Sequence, residues 1–132
     1  MSDSERIENP AKSINLLLSQ LAGSPESVEF NEVIETIHTH YDYTPTRFTN
    51  GQGDTAAINE AGSNEGSCKI FAFAHLHGLD AKKTLNCFGN YYREDVLQNP
   101  EGSDHGNIRN FMRYGWSGIK FDSPALAIKS SV

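Results

Sequence analysis

The chain has 132 residues, of which 37% are hydrophobic, and it carries a net charge of −6 and two cysteines. This length and apolar content fit one globular domain and exclude a disordered chain. No apolar run approaches the roughly 18 residues of a membrane span, and the acidic balance without a basic stripe disfavours nucleic-acid binding. The N-terminus lacks the order of a secretory signal, and two cysteines make no disulfide scaffold. We therefore expect a cytoplasmic protein with free thiols.

Two amphipathic helices are predicted in the first 40 residues. Residues 1–8 are polar and are expected to be frayed. Asn9-Pro10 then marks a helix start, and Gly23 marks its end. A second helix is predicted over 25–39, two residues further on, so the two helices are expected to form a hairpin or a bent pair. The inward positions are Ile14, Leu17, Leu18 and Leu21, followed by Phe30, Val33, Ile34, Ile37 and Tyr41.

Residues 49–66 are rich in glycine and asparagine and show no long periodic segment. An irregular connection of this length is uncommon in a small domain unless it has a function or is well packed. We therefore regard it as the best loop for a binding role. The third helix follows over 68–77 with Ser67 as its N-cap, and its apolar IFAFA core predicts burial.

Two more helices and a strand complete the predicted fold. The fourth helix begins after Asp80 and ends at Asn99-Pro100. The fifth begins at Ser103 or Asp104, ends at Gly115, and turns Ile108, Phe111 and Met112 inward. Residues 119–121 are predicted to form a short strand beside 46–48. The fold prediction is a mainly α, single compact domain over 1–132, with about five helices and a small β element.

A cysteine nucleophile is one possible source of chemistry. Cys68 falls in the first turn of the third helix, where free amides and the helix dipole stabilise a thiolate, and Lys69 adds a cation. The local Gly-Ser-Cys string resembles the way papain-like enzymes present their nucleophile. His105 is the best base for such a site, with Asp104, Asn107 or Asp122 to orient it. The alternative is a buried structural cysteine, which is the commoner role of an unpaired one.

Metal binding is disfavoured. Two His-x-His pairs occur, His38 with His40 and His75 with His77. On a helix, residues i and i+2 point about 200° apart, so one ion cannot readily use both. The chain has no Cys-x-x-Cys or His-Glu-x-x-His signature. We predict no metal and no cofactor.

Anion binding is a further possibility at the start of the third helix, where backbone amides can hold a carboxylate or phosphate. The glycine spacing does not match a P-loop, and a purely structural turn is the alternative. Tyr92 and Arg93 form a possible recognition edge, because only one of two adjacent helical tyrosines faces a core. The predicted binding residues are Asn64, Gly66, Ser67, Lys69, Tyr92 and Arg93.

From about residue 33 to 121 the chain resembles the HopJ type III effector family of bacterial proteins. The resemblance rests on motifs within YDYTPTRFTNG (41–51), NEAGSNEGSCK (59–69), TLNCFGNYYREDVL (84–97) and DHGNIRNF (104–111). It implies delivery through a type III secretion system and carries over no reaction, cofactor or site. Cys68, Arg93 and His105 lie inside these motifs, whereas His38 and His40 lie outside them.

Two functions remain open at this point. The first is a non-catalytic module that binds a protein or a small anionic ligand, with neither nucleic acid nor membrane as partner. The second is a thiol-dependent hydrolase or deamidase that uses Cys68 and His105. Proximity of the Cys68 sulfur to an imidazole would favour the enzyme.

Overall fold

The computed structural model describes residues 13–129, so the predicted frayed segment 1–8 and the helix start at Asn9-Pro10 lie outside the described residues. Within this range the chain forms a mainly helical, single compact domain. The helices are α1 (Ile14–Gly23), α2 (Phe30–His40), α3 (Glu65–Leu76), α4 (Ala81–Asn86), a π-helix (Tyr91–Val96) and α5 (Gly106–Tyr114). No helix in this range is long and apolar enough to cross a membrane.

The two N-terminal helices follow their predicted faces. Leu17 and Leu21 of α1 are buried, as are Val33 and Ile37 of α2. The connection between the helices is longer than predicted, because Pro25–Ser27 forms a separate 3-10 turn and α2 begins only at Phe30. The Glu32 carboxylate accepts a hydrogen bond from the Glu29 amide at 2.9 Å, which stabilises this later start.

Within residues 13–129, five three-residue strands form two small antiparallel sheets. In the first, β1 (Tyr41–Tyr43) pairs with β5 (Leu126–Ile128). In the second, β2 (Phe48–Asn50) lies between β3 (Ala57–Asn59) and β4 (Ile119–Phe121). The predicted pairing of 119–121 is confirmed, with β2 shifted by two residues from the predicted 46–48. The predicted irregular connection 49–66 therefore contains a β-hairpin.

The third helix crosses the core. It begins at Glu65 rather than at residue 68, and its run Ile70, Phe71, Ala72, Phe73 and Ala74 is buried as predicted. Gly78 ends this segment with a left-handed φ of +61°. Burial of each large apolar side chain of this run contributes roughly 1.5–3 kcal/mol, so α3 is the principal hydrophobic element of the fold.

The predicted fourth helix is wrong in its length, because the chain folds into α4 and a separate π-helix. Gly89 between them adopts φ +61°, which helical residues do not, and it closely approaches the backbone of Phe30. Met112 of α5 is a second correction. Its side chain is 44% exposed, while Ile108 and Phe111 are buried as predicted.

We expect Gly89→Ala to destabilise the fold. A Cβ at this position would lie 2.6 Å from the Phe30 nitrogen, in a backbone conformation that disfavours any side chain. A loss of about 1–3 kcal/mol in the free energy of unfolding is the scale of such overpacking. Urea unfolding measures this loss.

Gly23→Ala is the matched control, because a Cβ there meets nothing within 4 Å and Gly23 is the last residue of α1. It should leave stability unchanged or raise it slightly. Equal unfolding midpoints for the two variants would contradict the close approach at Gly89.

Candidate functional site

The starts of α3 and α5 share an unusual backbone feature. Asn64 and His105, the N-cap residues of the two helices, adopt left-handed conformations with φ values of 50° and 52°. They are the non-glycine residues with positive φ in the described chain. Neither N-cap makes a side-chain capping bond. The first amides of both helices therefore remain available to a ligand or to water.

These two helix starts line one cleft of about 220 Å³. Asn64, Gly66 and Ser67 contribute from α3, and residues 105–108 contribute from α5. The rings of Phe30 and Tyr91 form the aromatic wall, with centroids 5.0 Å apart in an edge-on arrangement. Three of the predicted binding residues therefore lie together with His105. None of the described residues that line the cleft is an aspartate or a glutamate.

A network of asparagine side chains ties the two helix starts to the β-hairpin. Asn64 donates to Asn59 Oδ1 at 2.7 Å, and Asn107 donates to the same oxygen at 2.9 Å. Asn59 in turn donates to Asn107 Oδ1 at 3.1 Å, and Asn50 donates to the Asn107 carbonyl at 2.8 Å. Asn50 and Asn59 are buried. Such a network holds the floor of the cleft in one arrangement.

His105 lies at the rim of the cleft and contacts the π-helix. Its Nε2 atom is 3.0 Å from an Asp95 carboxylate oxygen, and its ring centroid is 5.2 Å from that of Tyr91. Asp104, predicted as its possible orienting partner, is 3.8 Å away and pairs with Arg109 at 2.6 Å. The Arg109 hydrogen bond is the main cause that lowers the Asp104 pKa.

Cys68 faces the interior rather than this cleft. Its thiol donates to the Thr46 carbonyl at 3.6 Å, and the residue is 1% exposed. Ser67 is not the N-cap, because Asn64 takes that position and the Cys68 amide already bonds to the Asn64 carbonyl at 3.0 Å. Burial raises the pKa of the Cys68 thiol despite the hydrogen bonds that it forms with the Tyr43 side chain and the Thr46 carbonyl. Desolvation therefore outweighs the stabilisation of a Cys68 thiolate that the helix start was predicted to provide.

The structure does not bring Cys68 and His105 together. No hydrogen bond joins them among the described residues, and Cys68 is not part of the cleft that His105 lines. Cys87 is also poorly suited to act as a nucleophile. It follows the last residue of α4 instead of lying mid-helix, it is fully buried, and burial raises its pKa to about 12. Both thiols are free.

Lys69 lies on another face of α3. Its Nζ atom is 2.9 Å from His38 Nε2 and 4.7 Å from the centre of the Tyr43 ring. Burial, and next the Lys69 charge, lower the His38 pKa. Lys69 is not among the residues of the cleft and does not contribute its charge there directly.

Arg93 is a structural clamp. Its guanidinium donates to the carbonyls of Pro25 and Val28 and to the Asn86 side chain, the last at 2.9 Å. It therefore joins the connection before α2 to the end of α4. Tyr92 packs against the core. The Tyr92 and Arg93 side chains, predicted to form a recognition edge, therefore make their contacts within the chain. The exposed Tyr91 is the tyrosine that lines the cleft.

Tyr91, Phe30 and Asn107 were predicted from the sequence to have other roles: an edge with Tyr92 and Arg93, an inward helical position, and the orientation of His105. The alternation of adjacent helical tyrosines indicated that one of them would be exposed, but not which surface it would join. Phe30 was predicted to lie on the inward face of its helix. Nothing in the neighbouring sequence indicates that its ring also lines the cleft. Asn107 lies within one of the motifs that carry the family resemblance. Its contact with Asn59 is visible only in the three-dimensional structure.

The histidine pairs occupy the helical positions expected for them. His38 and His40 are the ninth and last residues of α2, and His77 follows α3 as its C-cap. The His77 Nε2 atom lies 2.6 Å from the Tyr41 hydroxyl, and burial lowers the His77 pKa. Among residues 13–129 no three His, Cys, Asp or Glu side chains cluster as a metal site would require.

Comparison with known proteins gives a family and a structural relative. The family model described as HopJ type III effector protein matches residues 14–126. The crystal structure of a protein named VPA0580, described as of unknown function, is 50% identical in sequence and superposes with a TM-score of 0.86. The similarity covers 92% of this chain and 98% of that chain. No protein of curated function matches this chain.

We expect iodoacetamide to label Cys68 slowly at neutral pH. A raised pKa reduces the thiolate fraction, about tenfold for each unit, and burial limits access to the sulfur. The labelling rate should increase as pH rises toward the thiol pKa. Cys87, with its pKa near 12, should react more slowly still. Peptide mapping after timed labelling separates the two sites.

An exposed thiol provides the reference for this measurement. Ser123→Cys adds one in an exposed loop, and its peptide should label well before Cys68. A Cys68 rate equal to the reference rate at pH 7 would contradict the burial of this thiol.

We also expect neither histidine pair to bind zinc tightly, because helical spacing directs the rings apart. Elemental analysis of protein purified without added metal checks this. Stoichiometric zinc that is lost in the double variant His38→Ala and His40→Ala, or in His75→Ala and His77→Ala, would show the prediction to be wrong.

Proposed function

This chain belongs to the HopJ type III effector protein family, and we propose that it acts there as a non-catalytic binding module. Its binding site is the cleft between the starts of α3 and α5, and its ligand is a small anionic group, a carboxylate or a phosphate. The group belongs to a small molecule or to a protein side chain. Delivery through a type III secretion system is part of the proposal and is supported by the family's description.

The main support for the proposal is that the N-termini of α3 and α5, neither of which has a side-chain cap, line the same cleft. Each helix N-terminus bears about half a positive charge and several unpaired amides. Backbone amides at such a position bind phosphate and carboxylate groups in many folds. When two helix N-termini line the same cleft, their effects add, because the electrostatic field of each favours a negatively charged ligand.

The lining of the cleft supports the same ligand chemistry. Gly66 allows α3 to approach the Phe30 ring at the cleft, since a Cβ there would lie 3.0 Å from that ring. The Ser67 hydroxyl adds a polar group, and no described lining residue brings a competing carboxylate. A volume of about 220 Å³ suits a small group better than a large cofactor.

The thiol hydrolase or deamidase receives no comparable support. Its nucleophile would be a buried Cys68 with a raised thiol pKa, and its base would be a His105 that contacts Asp95 instead. An activated cysteine needs a lowered pKa or an adjacent base. The binding module requires neither.

Inorganic phosphate is the probe that tests this proposal. In a titration at constant ionic strength, followed by amide NMR, we expect saturable shifts at Gly66, Ser67, Gly106 and Asn107. Ser67→Asp should abolish these shifts, because its carboxylate would occupy the anion position near the helix start while favouring the helix itself. The folded state is checked by its unfolding midpoint.

Ser123→Asp adds the same charge in an exposed loop outside the cleft and is the matched control. It should leave the phosphate response unchanged. Shifts that do not saturate, or that persist in Ser67→Asp, would overturn the proposal.

A further inference from the structure

A second surface feature lies between the π-helix and α5, apart from the cleft described above. It is a groove of about 380 Å³, and its lining includes Leu97, Pro100, Arg109, Met112 and Arg113. On α5, positions 109, 112 and 113 share one face because they are three and four residues apart. The groove is therefore a continuous surface formed by one helical face and the segment that follows the π-helix.

The apolar part of the groove is open to solvent. Leu97 is 47% exposed and Met112 is 44% exposed. The amphipathic pattern of α5 predicted Met112 to face the core, but Ile108 and Phe111 fill that space instead. Exposed methionine beside arginine is enriched at protein interfaces, since methionine adapts its shape to different partners.

The charged residues that line the groove are two arginines, and only one of their guanidinium groups is free of a carboxylate partner among the described residues. Arg109 is committed, because it pairs with Asp104 at 2.6 Å and its side chain is 17% exposed. Arg113 is exposed, and no carboxylate among the described residues lies within 4.0 Å of it. Helix α5 contains no aspartate or glutamate. The Arg113 guanidinium lies 6.0 Å from the centre of the Tyr114 ring, beside which it remains exposed. The groove thus offers one guanidinium without a carboxylate partner among the described residues, next to an apolar surface.

We propose that this groove binds a short acidic peptide segment of a partner protein. An apolar side chain of that segment packs against Leu97 and Met112, and a neighbouring carboxylate pairs with the Arg113 guanidinium. A planar guanidinium can hold a carboxylate through two parallel hydrogen bonds, which fixes the register of the peptide. The Arg113 guanidinium favours a segment that places a carboxylate at this one position.

The same observations disfavour other anionic partners. Binding to an anionic membrane takes a cluster of basic residues, since each contributes only about 1 kcal/mol near the surface. Nucleic acid likewise requires several phosphate contacts. One available arginine on a chain of net charge −6 meets neither requirement. A single carboxylate beside an apolar side chain needs only the groups that the groove provides.

A displayed library of random 12-residue peptides, selected on the full chain, tests the proposal. We expect the enriched peptides to carry Asp or Glu within a few positions of Leu, Met or Phe. Synthetic fluorescent copies of these peptides are then titrated with the protein, and their anisotropy is measured. Arg113→Glu and Leu97→Asp should each weaken binding about tenfold or more, as expected for residues at the centre of an interface.

Lys120→Glu is the matched control, because it reverses an exposed charge on β4 outside the groove. It should change affinity less than twofold, and so should Ser67→Asp, which separates this surface from the cleft. Arg113→Lys should keep part of the affinity, and unfolding midpoints of all variants establish that they are folded.

Three results would overturn the proposal. The first is the absence of acidic, apolar peptides among the enriched sequences. The second is equal weakening by Arg113→Glu and Lys120→Glu. The third is that Arg113→Glu instead abolishes sedimentation with phosphatidylserine vesicles, or abolishes self-association in size-exclusion chromatography, which would make the occupant a membrane or a second copy of the chain.

Discussion

The packing of rings around Phe71 is the interaction on which the rest of the structure depends. The ring centroids of Phe48, Phe88, Phe111 and Trp116 lie 5.0 to 6.3 Å from that of Phe71. These rings come from β2, the segment after α4, α5 and the turn after it. Edge-on and tilted contacts at these distances add to the free energy of burial. One side chain of α3 thereby packs against α5, which supplies one side of the cleft, and against Phe88, which lines it.

The position of α3 explains why adjacent residues of one helical turn have different environments. Ser67 lies at the cleft, whereas Cys68, one residue on, is rotated by about 100° and contacts Thr46 in the interior. The helix field acts on both positions. At Cys68 desolvation outweighs it and raises the thiol pKa, while at the cleft the same field remains available to a ligand from solvent.

Polar contacts between distant segments complete the arrangement. Arg93 joins the π-helix to the carbonyls before α2, and the asparagine network joins the hairpin to the starts of α3 and α5. Buried carbonyl and amide groups left without partners would each cost about 1–3 kcal/mol. Such contacts therefore constrain the relative positions of elements that hydrophobic packing alone would allow to shift.

The amino-acid sequence by itself determined the inward faces of α1 and α2, the buried run of α3, the terminating glycines at 78 and 115, and the strand at 119–121. These features follow from helical periodicity, apolar patterning and turn chemistry within a few residues. A helix start at residue 68, directly after Ser67, was also predicted from its local signal, although the helix begins three residues earlier, at Glu65.

Only the tertiary structure decided which residues meet. The fourth predicted helix divides at Gly89 because the backbone of Phe30 approaches it closely. Arg93 turns inward because carbonyls of residues 25 and 28 surround it. The cleft joins Asn64 to His105, 41 positions apart, and Met112 remains exposed because Ile108 and Phe111 already fill the core. Each outcome depends on contacts between segments far apart in the chain, for which a local pattern contains no signal.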